Sequence, residues 1–385
     1  MLFLRFGCSS ILPLPHPPTH PLSHSSTLPL PHPPTLPLIH PPTLPLPHPP
    51  THPLPCSPTT PPTAMVHLGY HASHEQFKPS QLLEWVQRAE QAGFTHALSS
   101  DHFLPWSEDQ GQSGFAWSWL GAAMQATNLH FRIVNAPGQR YHPAIIAQAA
   151  GTLMEMFPHR FWLTVGSGQA VNEHITGAHW PSKGDRNCRL KECIDIMRAL
   201  WAGETVNHHG LVTVEDAQLY TRPDYQPKII GAAITPKTAE WLGGWADGLI
   251  TTSRPPEQLK PLVEAFRRGG GEGKPMILKV QLSYDRTQEA ALAGAHQQWR
   301  NNVFESVMLS DTRTVEQFDV AGAFVTPADM EGQVRISADP QQHLDWLKTD
   351  IELGFDELIL HNVNTAQAQF IDTFGETVIP ALTKK

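Results

Sequence analysis

The chain has 385 residues, with 27 Lys and Arg against 36 Asp and Glu and a formal net charge of -9. This balance offers no basic face to nucleic-acid phosphates or anionic lipid, and no window approaches the roughly 18 uninterrupted apolar residues of a membrane helix, so neither partner is expected. Cys8, Cys56, Cys188 and Cys193 make no CxxC pair and no disulfide framework, which points to a reducing, cytoplasmic compartment and away from a zinc site.

Most of the 37 prolines fall before Met65, where an eight-residue repeat runs through HPPT at 16, HSST at 24, HPPT at 32, 40 and 48, and CSPT at 56. Proline at this density removes amide donors and enforces extended polyproline II, so residues 1–64 are expected to be a disordered low-complexity tail. The recurring histidines could form a metal-binding arm, but nothing fixes their mutual geometry. The favoured reading is a translated upstream repeat, with the working protein beginning at Met65, because MVHLGYHAS enters a strand at once.

From Met65 to Lys385 short apolar runs alternate with amphipathic helical stretches, the signature of parallel strands with crossover helices. VHLGYHA (66–72) reads as a strand, and PSQLLEWVQRAEQAG (79–93) as a helix opened by proline and closed by Gly93. HALSSD, WSWLGAAMQAT, HFRIVNA, PAIIAQAAGTLMEMF and RFWLTVGSG continue the alternation. A longer crossover carries the helix RLKECIDIMRALWAG and an excursion, NHHGLVTVEDAQLY, that reads as a hairpin outside the main sheet. KIIGAAI, DGLITTS, MILKVQLSYD and ELILHNV complete eight strands, each followed by a helix. One (β/α)8 barrel over residues 65–385 is the simplest closure, with an open doubly wound sheet as the alternative.

In a barrel of this kind the chemistry lies at the C-terminal ends of the strands. Those ends carry His71 and Glu75, then Asp101, His102 and Trp106, then Asn135 and Ala136, then Gly166 to Asn172. Later strands contribute Ala232 to Thr235, Thr251 to Arg254, Gln281 and His361. An Asp-His pair after a strand is often only a helix cap beside a surface imidazole, and Trp106 could be pure packing. VGSGQAVNE lacks the third glycine of a dinucleotide fingerprint, yet its two glycines let backbone amides approach a flat ring or a phosphate. No HxH or HExxH spacing appears, so a metal-dependent barrel hydrolase lacks its ligands and no metal is expected.

GYHASHEQF, SDHFLPW, RYHPAIIAQA, VGSGQAVNE and ADGLITTS, in that order, resemble the luciferase-like superfamily of barrel oxidoreductases, nearest to the branch of F420-dependent glucose-6-phosphate dehydrogenase. The opening motif looks like a subgroup of non-F420 flavin oxidoreductases, so FMN is expected ahead of coenzyme F420. The resemblance implies hydride transfer between the bound cofactor and a small polar, hydroxyl- or carbonyl-bearing substrate, with a reduced-FMN monooxygenase served by a flavin reductase as an alternative. It places Asp101 beside the ring, His102 as the base for a substrate hydroxyl, Trp106 as the wall behind the substrate and Glu75 near it. It puts a cis peptide at Asn135–Ala136, the cofactor along Gly166, Ser167, Gly168 and Asn172, and its phosphate near Ala233, Ile234 and Thr235. The family also suggests a homodimer.

Two positions depart from the family pattern. Gln169 stands where the related enzyme has a glutamic acid, and an amide cannot donate a proton near neutral pH, so that step is missing or reassigned, with Glu75 as a candidate. TSRPP replaces a lysine-bearing phosphate segment, which leaves Arg254 as the available substrate cation and makes glucose 6-phosphate an unexpected substrate. Loss of the acid also admits a noncatalytic cofactor-binding protein as a lower-ranked reading.

Overall fold

A computed structural model describes Val66–Thr383; the eight-residue repeat and the proposed start at Met65 lie outside the described residues. The strands are β1 (His67–Ala72), β2 (His96–Ser99), β3 (His130–Asn135), β4 (Phe161–Val165), β5 (Val206–His209), β6 (Thr213–Ala217), β7 (Ile229–Ala232), β8 (Gly248–Thr252), β9 (Met276–Ser283), β10 (Arg335–Ile336) and β11 (Glu357–Asn362). Eight of them close a parallel barrel in the order β1-β2-β3-β4-β7-β8-β9-β11, with β11 returning to β1 and β8 pairing β9. β5 and β6 form the expected antiparallel hairpin outside the barrel. The two-residue β10, beside the end of β9, is an addition the alternation does not predict, because it is too short to carry a period.

The helices are α1 (Pro79–Gln91), α2 (Ala116–Ala126), α3 (Pro143–Met156), α4 (Ala170–Glu173), α5 (Lys183–Ala202), α6 (Pro236–Gly243), α7 (Pro256–Phe266), α8 (Gln288–Trp299), α9 (Ser306–Asp311), α10 (Val315–Gly322), α11 (Pro340–Glu352), α12 (Gln367–Thr373) and α13 (Ile379–Thr383). Proline opens α1, α3, α6, α7 and α11, where its missing amide hydrogen is not needed. α1 ends as predicted: Gly93 takes φ +98°, a conformation open to glycine and strained for a side chain. Among the described residues no helix is long and apolar enough to cross a membrane.

Alternation along each strand sends one set of side chains into the barrel and the other beneath the helices. Inside, Arg132 and Glu357 form an ion pair at the N-terminal end, and the guanidinium stacks 3.8 Å above Trp162. Leu98, Ile230, Ile250, Ile277 and Ile359 make the apolar layer above it. Beyond that layer the interior turns polar with His71, Lys279, Gln281 and His361, and this change of chemistry marks the floor of the site.

Candidate active site

The C-terminal mouth holds a cavity of about 1330 Å³, more than the 300–1,000 Å³ typical of a single small-ligand pocket. The residues assigned by the resemblance line it, namely Glu75, Asp101, His102, Trp106, Asn135, Ala136, Gly166 to Gln169, Asn172, Ala233 to Thr235 and Arg254, whereas the strand-end residues His361, Ala170 and Val171 do not.

Glu75, just past β1, is buried and accepts hydrogen bonds from the Ser100 hydroxyl at 2.6 Å and the Ser73 hydroxyl at 3.0 Å. Its other oxygen lies 3.3 Å from His102 Nδ1, within ion-pair reach though not aligned as a hydrogen bond. Burial alone would raise the carboxyl pKa; His102, the Ser100 hydroxyl and Lys279 outweigh it and hold the group below the ordinary carboxylate range. A lowered pKa favours the ionised Glu75 at neutral pH, the form that accepts rather than donates a proton. His102 is moved the other way: burial lowers its pKa, Glu75 partly opposes, and Arg140 and Lys279 add to the lowering. A neutral imidazole with its Nδ1 hydrogen toward Glu75 leaves the Nε2 lone pair for the cavity. The indole of Trp106 stands 5.1 Å from that ring, backed edge-on by Phe318 at 5.2 Å.

Asp101 serves the protein more than the cavity. Its carboxylate accepts from Asn135 Nδ2 at 2.7 Å and from the Tyr141 hydroxyl at 3.0 Å, and its carbonyl accepts from Arg140 at 2.8 Å. The brace ties the end of β2 to the end of β3 and fixes the loop that carries His102. Burial, then the Asp101 charge, raises the Tyr141 pKa, so the phenol remains a donor. No cis peptide occurs among the described residues, so the Asn135–Ala136 bond is trans, contrary to expectation, and Asn135 is held by its side-chain bond to Asp101 instead. Asn172 is likewise engaged: its oxygen accepts from the amides of Phe103 at 2.9 Å and Leu104 at 3.3 Å. Gln169 Oε1 accepts from Asn172 Nδ2 at 3.4 Å.

Gly168 takes φ +82°, and a Cβ there would stand 3.2 Å from Glu173 and 3.3 Å from both Ala136 and Trp180. Gly168→Ala is expected to destabilise the fold by about 1–3 kcal/mol. It should also weaken cofactor binding, measured by denaturant unfolding and cofactor titration; an unchanged midpoint would show that the loop relaxes freely. Thr235 caps α6 by accepting from the Thr238 amide, and Thr235, Lys237 and Thr238 at the start of that helix line the cavity. Lys183 and Lys237 add positive charge along the cavity wall, where Arg186 and Lys191 are paired with Asp311 and Asp195, and Lys183 donates to the Ser167 hydroxyl at 2.6 Å. A flat ring carrying an acidic tail fits this lining: small residues at the loop, the orphaned polar atoms Asn135 Oδ1 and Thr251 Oγ1, and cations outward.

Sequence reasoning missed Lys279, Arg140, Tyr141 and Lys183 as site residues. Lys279 was within reach of it, because in MILKVQLS it alternates with Ile277 and Gln281 and so shares their inward face.

The model of the luciferase-like monooxygenase family matches residues 63–357. Over 343 residues the chain is 34% identical to an F420-dependent glucose-6-phosphate dehydrogenase of Kribbella flavida, covering 83% of this chain and 99% of that protein. An enzyme of the same name from Beutenbergia cavernae is 35% identical over 332 residues, with 83% and 98% covered. Among solved structures, an F420-dependent secondary alcohol dehydrogenase in complex with an F420-acetone adduct superposes with TM-score 0.76 at 30% identity, covering 82% of this chain and 99% of that one. A long-chain alkane monooxygenase shares the fold at TM-score 0.61 and 15% identity, covering 83% and 91%.

Proposed function

The chain belongs to the luciferase-like monooxygenase family and is an oxidoreductase, and from that premise we propose that it is an F420-dependent dehydrogenase of a hydroxyl-bearing substrate. The observation that carries the reading is His102: a neutral imidazole, backed on Nδ1 by an ionised Glu75, with Nε2 left to a cavity large enough for a cofactor and a substrate together. F420 takes precedence over FMN, reversing the order expected from the opening motif, because the curated relatives and the alcohol dehydrogenase described above are named for F420. The cations along the wall suit its long acidic side chain as well.

When bound, F420 supplies a deazaflavin ring that accepts hydride and reacts poorly with oxygen. The protein's share is placement and proton handling. His102 Nε2 takes the hydroxyl proton from the carbon that loses hydride, and Glu75 steadies the imidazolium that results. Trp106 closes the substrate side, while Gly166 and Gly168 let the backbone approach the ring. Asp101 acts mainly through the Asn135, Tyr141 and Arg140 brace. A flavin reductase is not required by this reading.

Titrating the full chain separately with F420 and FMN, followed by cofactor fluorescence, should give F420 affinity at least about tenfold tighter, a difference of about 1.4 kcal/mol. A panel of alcohols should then reduce bound F420, with glucose 6-phosphate among the poor substrates. Tight FMN binding without F420 binding would favour the reduced-flavin monooxygenase instead.

A further inference from the structure

Lys279 is the cation of the site that the proposed reaction does not use. It lies one layer above the apolar floor, on the inward face of β9, and its side chain reaches the cavity. Its closest described partner is the Trp299 ring, 5.5 Å from Nζ; among the described residues no carboxylate comes within 4.0 Å of it. Gln281, the next inward residue, is committed to Ser253. Lys279 is half-buried at the cavity, and a ligand that displaces water there leaves its charge unfavourably placed unless the ligand brings an anion.

The surroundings say where the anion would sit. Lys279 acts electrostatically on Glu75 and His102 from the loops after β1 and β2, on His71 from β1 and on His361 from β11. Lys279 lines the same cavity as His102, Glu75 and His71, on the inward face of β9. A small substrate reaching from Lys279 to His102 would carry its anionic group beside the reacting hydroxyl, and the ionised Glu75 on the same lining disfavours a dianion such as a phosphate ester.

We propose that the substrate is a small 2-hydroxy acid, with Lys279 holding its carboxylate while His102 takes the proton of the adjacent hydroxyl. This deepens the dehydrogenase reading and rests on it for the chemistry. The carbinol C–H bond breaks with its electron pair leaving as hydride to the oxidised deazaflavin. The O–H proton passes to His102 Nε2, and the carbon is oxidised by two electrons to a 2-keto acid. Burial lowers the Lys279 pKa to about 8, with Glu75 opposing, so the ammonium is present at neutral pH and is lost above that value. Arg254, whose buried Nε has no hydrogen-bond partner, stands on the neighbouring wall after β8 for a longer acid.

Calorimetric titration of the full chain, with and without F420, should use 2-hydroxybutyrate, 1,2-butanediol and inorganic phosphate as probes. The hydroxy acid should bind at least about tenfold tighter than the diol, equivalent to about 1.4 kcal/mol. Lys279→Gln should abolish that preference while leaving F420 and diol affinity unchanged, and Lys279→Arg should restore part of it. Wild-type affinity for the acid should weaken as pH rises through about 8, whereas the glutamine variant should show no such step, which separates Lys279 from Lys183, also lowered to about 8. Equal affinity for acid and diol, a preference that survives Lys279→Gln, or tighter binding of phosphate than of the acid would each overturn the proposal. Binding needs no turnover, so failure of every alcohol to reduce F420 would remove the dehydrogenase reading while leaving the acid site standing.

Discussion

Replacing His102 by alanine should lower kcat by about 10²- to 10⁴-fold, the usual range for a general base, while F420 affinity stays nearly unchanged. The split follows from position. In the proposed arrangement the imidazole, beside Trp106, faces the substrate, whereas the Gly166–Gly168 loop and the start of α6 on the same cavity hold the cofactor. The wild-type pH profile should carry the same signature. The base must be unprotonated, and burial holds its pKa below the ordinary 6.5, so kcat/KM should rise with pH through a value below 6.5 and, for a 2-hydroxy acid, fall again above about 8 as Lys279 loses its proton. His102→Ala should lack the rising limb. Glu75→Gln should lower kcat by roughly tenfold or more, because the imidazolium formed in the reaction loses its counter-charge. Normal turnover by the alanine variant would sink the assignment of the base.

Arg132→Met should destabilise the fold by about 3–5 kcal/mol, because it leaves the buried Glu357 carboxylate without its partner. Arg132 Nη2 lies 2.7 Å from Glu357 Oε2, with the two side chains 2% and 5% exposed. His96 Nε2, 3.8 Å from the same oxygen, is a poor replacement for the lost charge, since burial, the largest cause of its depressed pKa, persists when Arg132 is removed. The double variant Arg132→Met with Glu357→Leu should recover most of the loss, because the uncompensated charge is gone and apolar volume continues the layer above. Denaturant unfolding of both variants measures this. F420 affinity should not move in the double variant, because the layer of Leu98, Ile230, Ile250, Ile277 and Ile359 separates the pair from the mouth. Equal destabilisation in single and double variants would show that packing, not charge, holds this end of the barrel.

The alternation of strand and helix from His67 onward was legible because parallel barrel strands are short apolar runs set between amphipathic crossovers. The β5–β6 hairpin was visible for the same reason, as two short strands around a Gly-containing turn. Residues at strand ends could be placed at the mouth without coordinates, since (β/α)8 topology brings all those ends to one face. What each does there was less legible. Asp101 reads as a cofactor contact in sequence and does line the cavity, but its hydrogen bonds to Asn135 and Tyr141, partners 34 and 40 positions away, could not be read there. The cofactor order expected from the opening motif was likewise displaced by similarity over most of the chain.

By itself, then, the sequence determined the barrel, its mouth and the residue types gathered there, because periodicity and strand-end position are local properties. Only the tertiary structure decided which charges share a volume. Glu75 meets His102 across 27 positions, and Lys279 lines the same cavity from β9, two strands round the barrel from β1. Protonation state depends on burial and on neighbours brought together by closure of the barrel. It is therefore the fold that holds Glu75 below the ordinary carboxylate range, lowers the His102 pKa and leaves Lys279 without a carboxylate within 4.0 Å among the described residues, the arrangement on which both proposals rest.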